Sequence, residues 1–174
     1  MKKYILIFLT SAYCIVSCAP KDETKTDAVK TSSSIKLPYE ARYGTEFTNN
    51  VSDSDLLVVL NSYKYWETSD YAALRTTMGD SMYANMSDGL KFQGLTDSLM
   101  GIWKKYGDSL SSIKIDMGVW LKNHSVKDST DYINVWYKET DTFKSGRVDS
   151  GNFEDDNAVK NGKIIWLSSH KQKL

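Results

Sequence analysis

A change of hydrophobic period near residue 110 divides this chain and restricts its fold more than any single motif. Before it, Leu56, Val59, Leu60, Tyr63 and Trp66 recur at helical spacing behind Ser52, Asp53, Ser54 and Asp55, which offer N-cap groups. A shorter helix, Tyr71 to Met78, is expected to open behind Ser69 or Asp70 and to stop at Gly79. Ser81 to Met86 and Leu90 to Gln93 read as short strands or extended loop. After Gly94, Thr96 can cap a third helix, whose Leu99, Trp103, Tyr106 and Leu110 form one apolar stripe.

Beyond that point the apolar residues alternate. Ile113, Ile115, Met117, Val119 and Leu121 share one face of a strand, and Lys114, Asp116, Gly118, Trp120 and Lys122 the other. Ile133, Val135 and Tyr137 repeat the pattern, and Arg147 to Val159 is a more polar strand. Asn161-Gly162 suits a type I′ hairpin turn, in which both central residues need positive φ, so Lys163 to His170 forms a closing strand. Helices followed by consecutive antiparallel strands make an α+β arrangement.

The amino terminus carries an address. Behind Lys2-Lys3 an apolar run ends at Ile15-Val16-Ser17-Cys18. Tyr4 to Ser17 is 14 residues, too short for the roughly 20 that span a bilayer, and fits a signal peptide. The run resembles a bacterial lipobox. That resemblance implies cleavage before Cys18 and acylation of its sulfur and new amino group, with the membrane as partner through the lipid. Cys14 is then discarded and Cys18 is modified, so disulfide, Cys–metal and catalytic Cys roles all fall away. Lys21-Asp22-Glu23 resembles an export signal that carries lipoproteins to the outer face of the outer membrane, which implies a cell-surface location, with a periplasm-facing one as the alternative.

These signals set the boundaries: residues 1–17 are the signal peptide, 18–36 the lipidated cysteine and a polar tether, 37–51 an irregular lead-in, and 52–174 the domain. The tether has Val29 and Ile35 as its only large aliphatic residues, too few to order it. The chain carries 22 basic and 22 acidic residues, and losing Lys2 and Lys3 leaves 20 against 22, a formal charge of −2. Such a balance offers no basic stripe for nucleic acid. His124 and His170 stand alone without an HExxH spacing, so neither a metal nor a cofactor is expected; His124 reads as a solvated residue of the Asn123–Asp128 turn. The Glu154-Asp155-Asp156 run reads as a solvated strand or hairpin end.

The order of elements, with Asp70 opening a short helix and Asn161-Gly162-Lys163-Ile164 before the last strand, resembles the nuclear transport factor 2-like superfamily, including its SnoaL-like polyketide-cyclase group. The resemblance covers roughly residues 52 to 172. It implies an NTF2-like (cystatin-like) cone, three helices packed on a curved, mostly antiparallel sheet, often with an internal pocket. Tyr63, Trp66, Trp103, Tyr106, Met117 and Tyr137 are the expected pocket residues. The scaffold hosts isomerases, cyclases, dehydratases and binding proteins, so fold does not decide activity.

A ketosteroid-isomerase-like or cyclase-like lyase or isomerase needs a carboxylate base and an oxyanion donor inside the cone. Asp116 alternates outward; Tyr63, Tyr137, Glu139 and Asp155 are the better candidates. With no pair pinned by a motif, the sequence favours a non-enzymatic domain binding a small apolar ligand or an envelope partner, and that catalyst is the alternative. Trp120, Trp136 and Trp166, on positions read as facing away from the aliphatic side, point to a sheet-to-sheet homodimer.

Overall fold

The structure, a computed structural model, describes residues 38–39, 41–42 and 44–173. Cys18 and the Lys21-Asp22-Glu23 signal lie outside the described residues. Residues 44–173 belong to one compact unit, whose first helix, α1 (Asp53–Glu67), begins as expected: the Ser52 hydroxyl accepts from the Asp55 amide at 3.0 Å. Asp70 caps α2 (Tyr71–Thr76) by accepting from the Ala73 amide at 2.9 Å.

The second helix ends earlier than its sequence suggests, because Met78 is taken up by a strand. β2 (Met78–Asn85) runs parallel to the closing strand β7 (Lys163–Lys173), with Met78 paired to Ile164 and the Ile164 amide donating to the Thr77 carbonyl at 2.9 Å. β3 (Lys91–Leu95) folds back on β2. Thr96 is the first residue of α3 (Thr96–Gly107) rather than its cap; Leu95 holds that position, and the buried Thr96 hydroxyl donates to the Gly79 carbonyl at 2.5 Å. Leu110, expected on the α3 stripe, instead opens β4 (Leu110–Ser125).

β4 pairs with β5 (Thr130–Phe143), β5 with β6 (Val148–Lys160) and β6 with β7, all antiparallel. A two-residue strand, β1 (Phe47–Thr48), pairs with the end of β4, so the lead-in read as irregular contributes to the sheet. The described residues thus form a curved, unclosed seven-stranded sheet in the order β1-β4-β5-β6-β7-β2-β3. Asn161 and Gly162 take φ 53° and 69°, as a type I′ hairpin requires, and β7 runs past His170 to Lys173.

The helices cover the sheet face carrying Ile133, Val135 and Tyr137, and the core is centred on Leu99, Ile133, Ile164, Val59 and Val135, all fully buried. Burying each contributes roughly 1.5–3 kcal/mol. One irregularity reassigns half a strand. At Gly118 the β4 register shifts against β5; a Cβ there would lie 2.9 Å from the Trp136 carbonyl oxygen. Inserting one residue reverses the alternation. Beyond the bulge Val119 and Leu121, expected on the aliphatic face, are each 51% exposed. Trp120 is swung to the helix side, opposite Val135 and beside Leu60 and Tyr63. It does not share the outward face of Trp136 and Trp166, contrary to the alternation read from sequence.

Candidate functional site

β5 and β6 are neighbours in register, so the polar residues at inward positions meet across the pair. On β5 the inward series Ile133, Val135 and Tyr137 continues with Glu139 and Asp141; on β6, Asn157, Asp155 and Phe153 lie opposite Ile133, Val135 and Tyr137. The run Glu154-Asp155-Asp156 is therefore no solvated end. Its flanking acids point outward and Asp155, 3% exposed, points into the core.

Two tyrosines converge on Asp155. Tyr63 from α1 donates to Oδ2 at 2.9 Å and Tyr137 from β5 to the same oxygen at 3.0 Å. The Asn157 amide donates to the Tyr63 oxygen at 3.1 Å and to the Ile133 carbonyl at 3.2 Å. The Tyr63 and Tyr137 rings meet edge to face at 5.0 Å, and Phe153 stacks on Tyr137 at 5.2 Å. Burial pushes Asp155 up to about 6, the hydroxyls of Ser169, Tyr63 and Tyr137 opposing. Both tyrosines are raised well above their ordinary range, first by burial and then by the Asp155 charge.

Glu139 lies further along β5. Burial, reinforced by Asp141 and Asp155, pushes it up to about 8, against a hydrogen bond from Trp66 and the charge of Lys171. The network thus holds two carboxyls with separated affinities for a proton. Asp155 is largely ionised and Glu139 largely protonated near neutral pH. Such separation distinguishes a base from an acid in proton-transfer sites.

Of the six pocket residues, Tyr63 and Met117 border a recess of about 220 Å³ with Leu60, Ile115 and Trp120 and with the charged Lys64 and Glu67. Tyr137 does not border this recess; with Phe153 it lines a separate open cleft of about 470 Å³. Trp66, Trp103 and Tyr106 do not border that recess: Trp66 stacks on the exposed Tyr106 at 6.2 Å and meets Trp103 at 6.4 Å. All four alternative catalytic candidates, Tyr63, Tyr137, Glu139 and Asp155, share the inner side of the sheet. Asp116 is exposed as expected and lines that same cleft with Gly118, Trp136 and Lys138. His124 is not a solvated turn residue; it lies within β4, one residue before its end, with Nδ1 2.6 Å from Asp131 Oδ1. The described residues contain no grouping suited to a metal ion.

The sequence reading passed over Asn157 and Asp141. Asp141 is 5% exposed and its Oδ2 accepts from the Tyr106 hydroxyl at 2.7 Å. Two-residue spacing from Glu139 was the available signal, but Asp141 sits among the polar residues of a strand end that reads as solvated.

No protein-family model matches the sequence, and no curated protein does. Solved structures do match. An LEH-like epoxide hydrolase from M. tuberculosis superposes with a TM-score of 0.59 at 7% identity, covering 70% of this chain and 84% of that one. An NTF2-like protein of unknown function from Burkholderia pseudomallei gives 0.57 at 15% identity, covering 70% and 92%. The fold is NTF2-like. A third match, from Catenulispora acidiphila, has a ketosteroid isomerase-like fold and was solved with trimethylamine; its TM-score is 0.54 at 10% identity, covering 65% of this chain and 83% of that one. At such identities the NTF2-like fold is what is shared, and the activity must be argued from the residues of this chain.

Proposed function

We propose that this NTF2-like domain catalyses proton transfer on a small, mainly apolar molecule, as a lyase or isomerase. The observation that carries the proposal is Asp155, a buried carboxylate held by Tyr63 and Tyr137 in the same interior as the protonated acid Glu139. Sequence alone favoured binding without catalysis for want of a convincing base. Asp155 supplies one, and its proton affinity suits a general base working near neutrality.

The simplest balanced reaction is abstraction of a proton from carbon next to a carbonyl and its return at another carbon. Asp155 receives and returns the proton. The neutral Glu139 carboxyl donates a hydrogen bond to the oxyanion, and no electrons leave the substrate. Tyr63 joins Asp155 to the recess, where Leu60, Ile115, Met117 and Trp120 would hold the apolar body and Lys64 and Glu67 form a charged border.

The test is hydrogen–deuterium exchange next to the carbonyl of a panel of cyclic and steroidal ketones, followed by NMR in heavy water with the full chain. The wild type is expected to exceed the buffer rate, and Asp155→Asn to return to it; Tyr63→Phe is expected to slow exchange by roughly 100-fold. Exchange no faster than buffer, or unaffected in Asp155→Asn, rejects catalysis. A second reading, ligand binding without chemistry, is favoured by one observation: Asp155 Oδ2 already accepts two hydroxyls and the residue is almost sealed. Native mass spectrometry tests it through a small mass retained in the folded protein and lost on denaturation.

The same proposal places the domain at the outer membrane, anchored by a lipid on Cys18 and turned to the cell surface by Lys21-Asp22-Glu23. Replacing those three residues with alanine is expected to protect the protein from protease added to whole cells. Trp136 and Trp166, with the exposed Val119 and Leu121, support a homodimer through the outward sheet face.

A further inference from the structure

The interior holds a second group of acids, of which the proton-transfer reading uses Glu139 alone. Glu139 and Asp141 point the same way from β5, with Asp149 opposite Asp141 on β6. Lys171 places its ammonium 3.0 Å from Asp149, its stem passing over Gly151, where a Cβ would be 2.5 Å from Lys171 Cε. Arg147 lies with its guanidinium 3.7 Å from the centre of the Phe143 ring. Asp141 Oδ2 accepts from the Tyr106 hydroxyl, while its Oδ1 is buried with no hydrogen-bond partner among the described residues. A nine-tenths buried carboxylate oxygen without a donor is costly and calls for an explanation.

The surroundings define what could supply that donor. Trp66, whose indole reaches Glu139, stacks on Tyr106 with ring planes 11° apart; Phe143 meets Tyr106 edge-on at 6.1 Å. Aromatic faces and carboxylates both attract cations. A divalent metal fits poorly, since it wants six or more oxygen ligands and water where rings stand. Anions are repelled. A protonated primary amine supplies N–H donors to Asp141 and Glu139 and lays its first methylenes on the rings. Tyr106, 42% exposed, leaves the group a way in from solvent.

We propose that Trp66, Tyr106, Glu139 and Asp141 form a binding site for the ammonium group of a small primary amine. The site does not require Asp155 to act as a base. Because an ammonium ionises Glu139, amine binding here excludes the hydrogen bond that a neutral Glu139 would give an oxyanion, and the two proposals are tested separately. Binding also has a proton signature. Glu139 is kept neutral to about 8 by burial and by Asp141 and Asp155, with Lys171 and Trp66 opposing; Asp141 is raised by burial and Asp149, with Tyr106, Lys171 and Arg147 opposing. An arriving ammonium ionises Glu139, so a proton is released near pH 7.

The experiment is calorimetric titration of the full chain in detergent with n-butylammonium chloride, n-butanol, tetramethylammonium chloride and potassium chloride. Repeating it in buffers of different ionisation heat counts the protons released. Saturable butylammonium binding, at least about tenfold tighter than butanol, potassium or tetramethylammonium, supports the site. Glu139→Gln and Asp141→Asn should each weaken it by about tenfold, and Glu139→Gln should abolish proton release. Asp155→Asn should change affinity by less than about threefold, separating this site from the catalytic reading. Butanol or potassium binding equally well, no saturation in the tens of millimolar range, or unchanged affinity in both carboxylate variants overturns the proposal. Should either variant fail to fold, the wild-type comparison of butylammonium with butanol decides alone.

Discussion

Replacing Glu139 with Gln should stabilise the domain at neutral pH and do little in acid. In the unfolded chain the side chain titrates at its ordinary value of 4.5, whereas burial in the fold holds its proton until about 8. Between those limits the folded state carries one proton more than the unfolded state, so stability falls as pH rises. The stabilising influence of the protonated acid is fully present below about pH 4 and is lost as pH climbs through about 8. Each pH step across that window costs about 1.4 kcal/mol, which reaches roughly 3 kcal/mol at pH 7. Gln cannot ionise, and its side-chain oxygen can still accept from Trp66, so the variant escapes the penalty. Urea denaturation of both proteins at about pH 4, 6 and 8 measures it, with equal denaturant slopes confirming a common unfolding reaction. A stability difference that stays constant with pH, or a variant weaker than the wild type at pH 8, refutes the placement of Glu139 as a buried neutral acid.

Other expectations follow from single contacts. Gly118→Ala puts a Cβ 2.9 Å from the Trp136 carbonyl oxygen, so urea unfolding should show a loss of about 1–3 kcal/mol. Ser52→Ala removes the cap of α1 and should cost about 1 kcal/mol by the same measurement. Tyr137→Phe takes one donor from Asp155 and should destabilise by about 1–3 kcal/mol, with the loss shrinking in an Asp155→Asn background. Cys18→Ala should move the protein from the membrane fraction to the soluble fraction on cell fractionation.

What the sequence alone determined is what local physics controls. Ser52 and Asp70 are side-chain caps, Asn161-Gly162 is a turn needing positive φ, and Ile133, Val135 and Tyr137 follow a period of two with one face buried. Each is decided by residues a few positions apart. The α+β class and the NTF2-like order of elements were legible for the same reason, and so were Tyr63 and Tyr137 as inward tyrosines. Tertiary structure decided the rest. Met78 leaves helical propensity behind because Ile164, far along the chain, pairs with it. Trp120 changes sides because a glycine at position 118 lets the Trp136 carbonyl approach too closely for any side chain. From sequence Asp155 is at once a catalytic candidate and one of three acids in a run that reads as solvated; the β5–β6 register turns it under Tyr63 and Tyr137, where burial sets its proton affinity. A strand's alternation says which residues share a face; only the pairing of strands and the helices laid on them says which face is dry, and with it which acids can do chemistry.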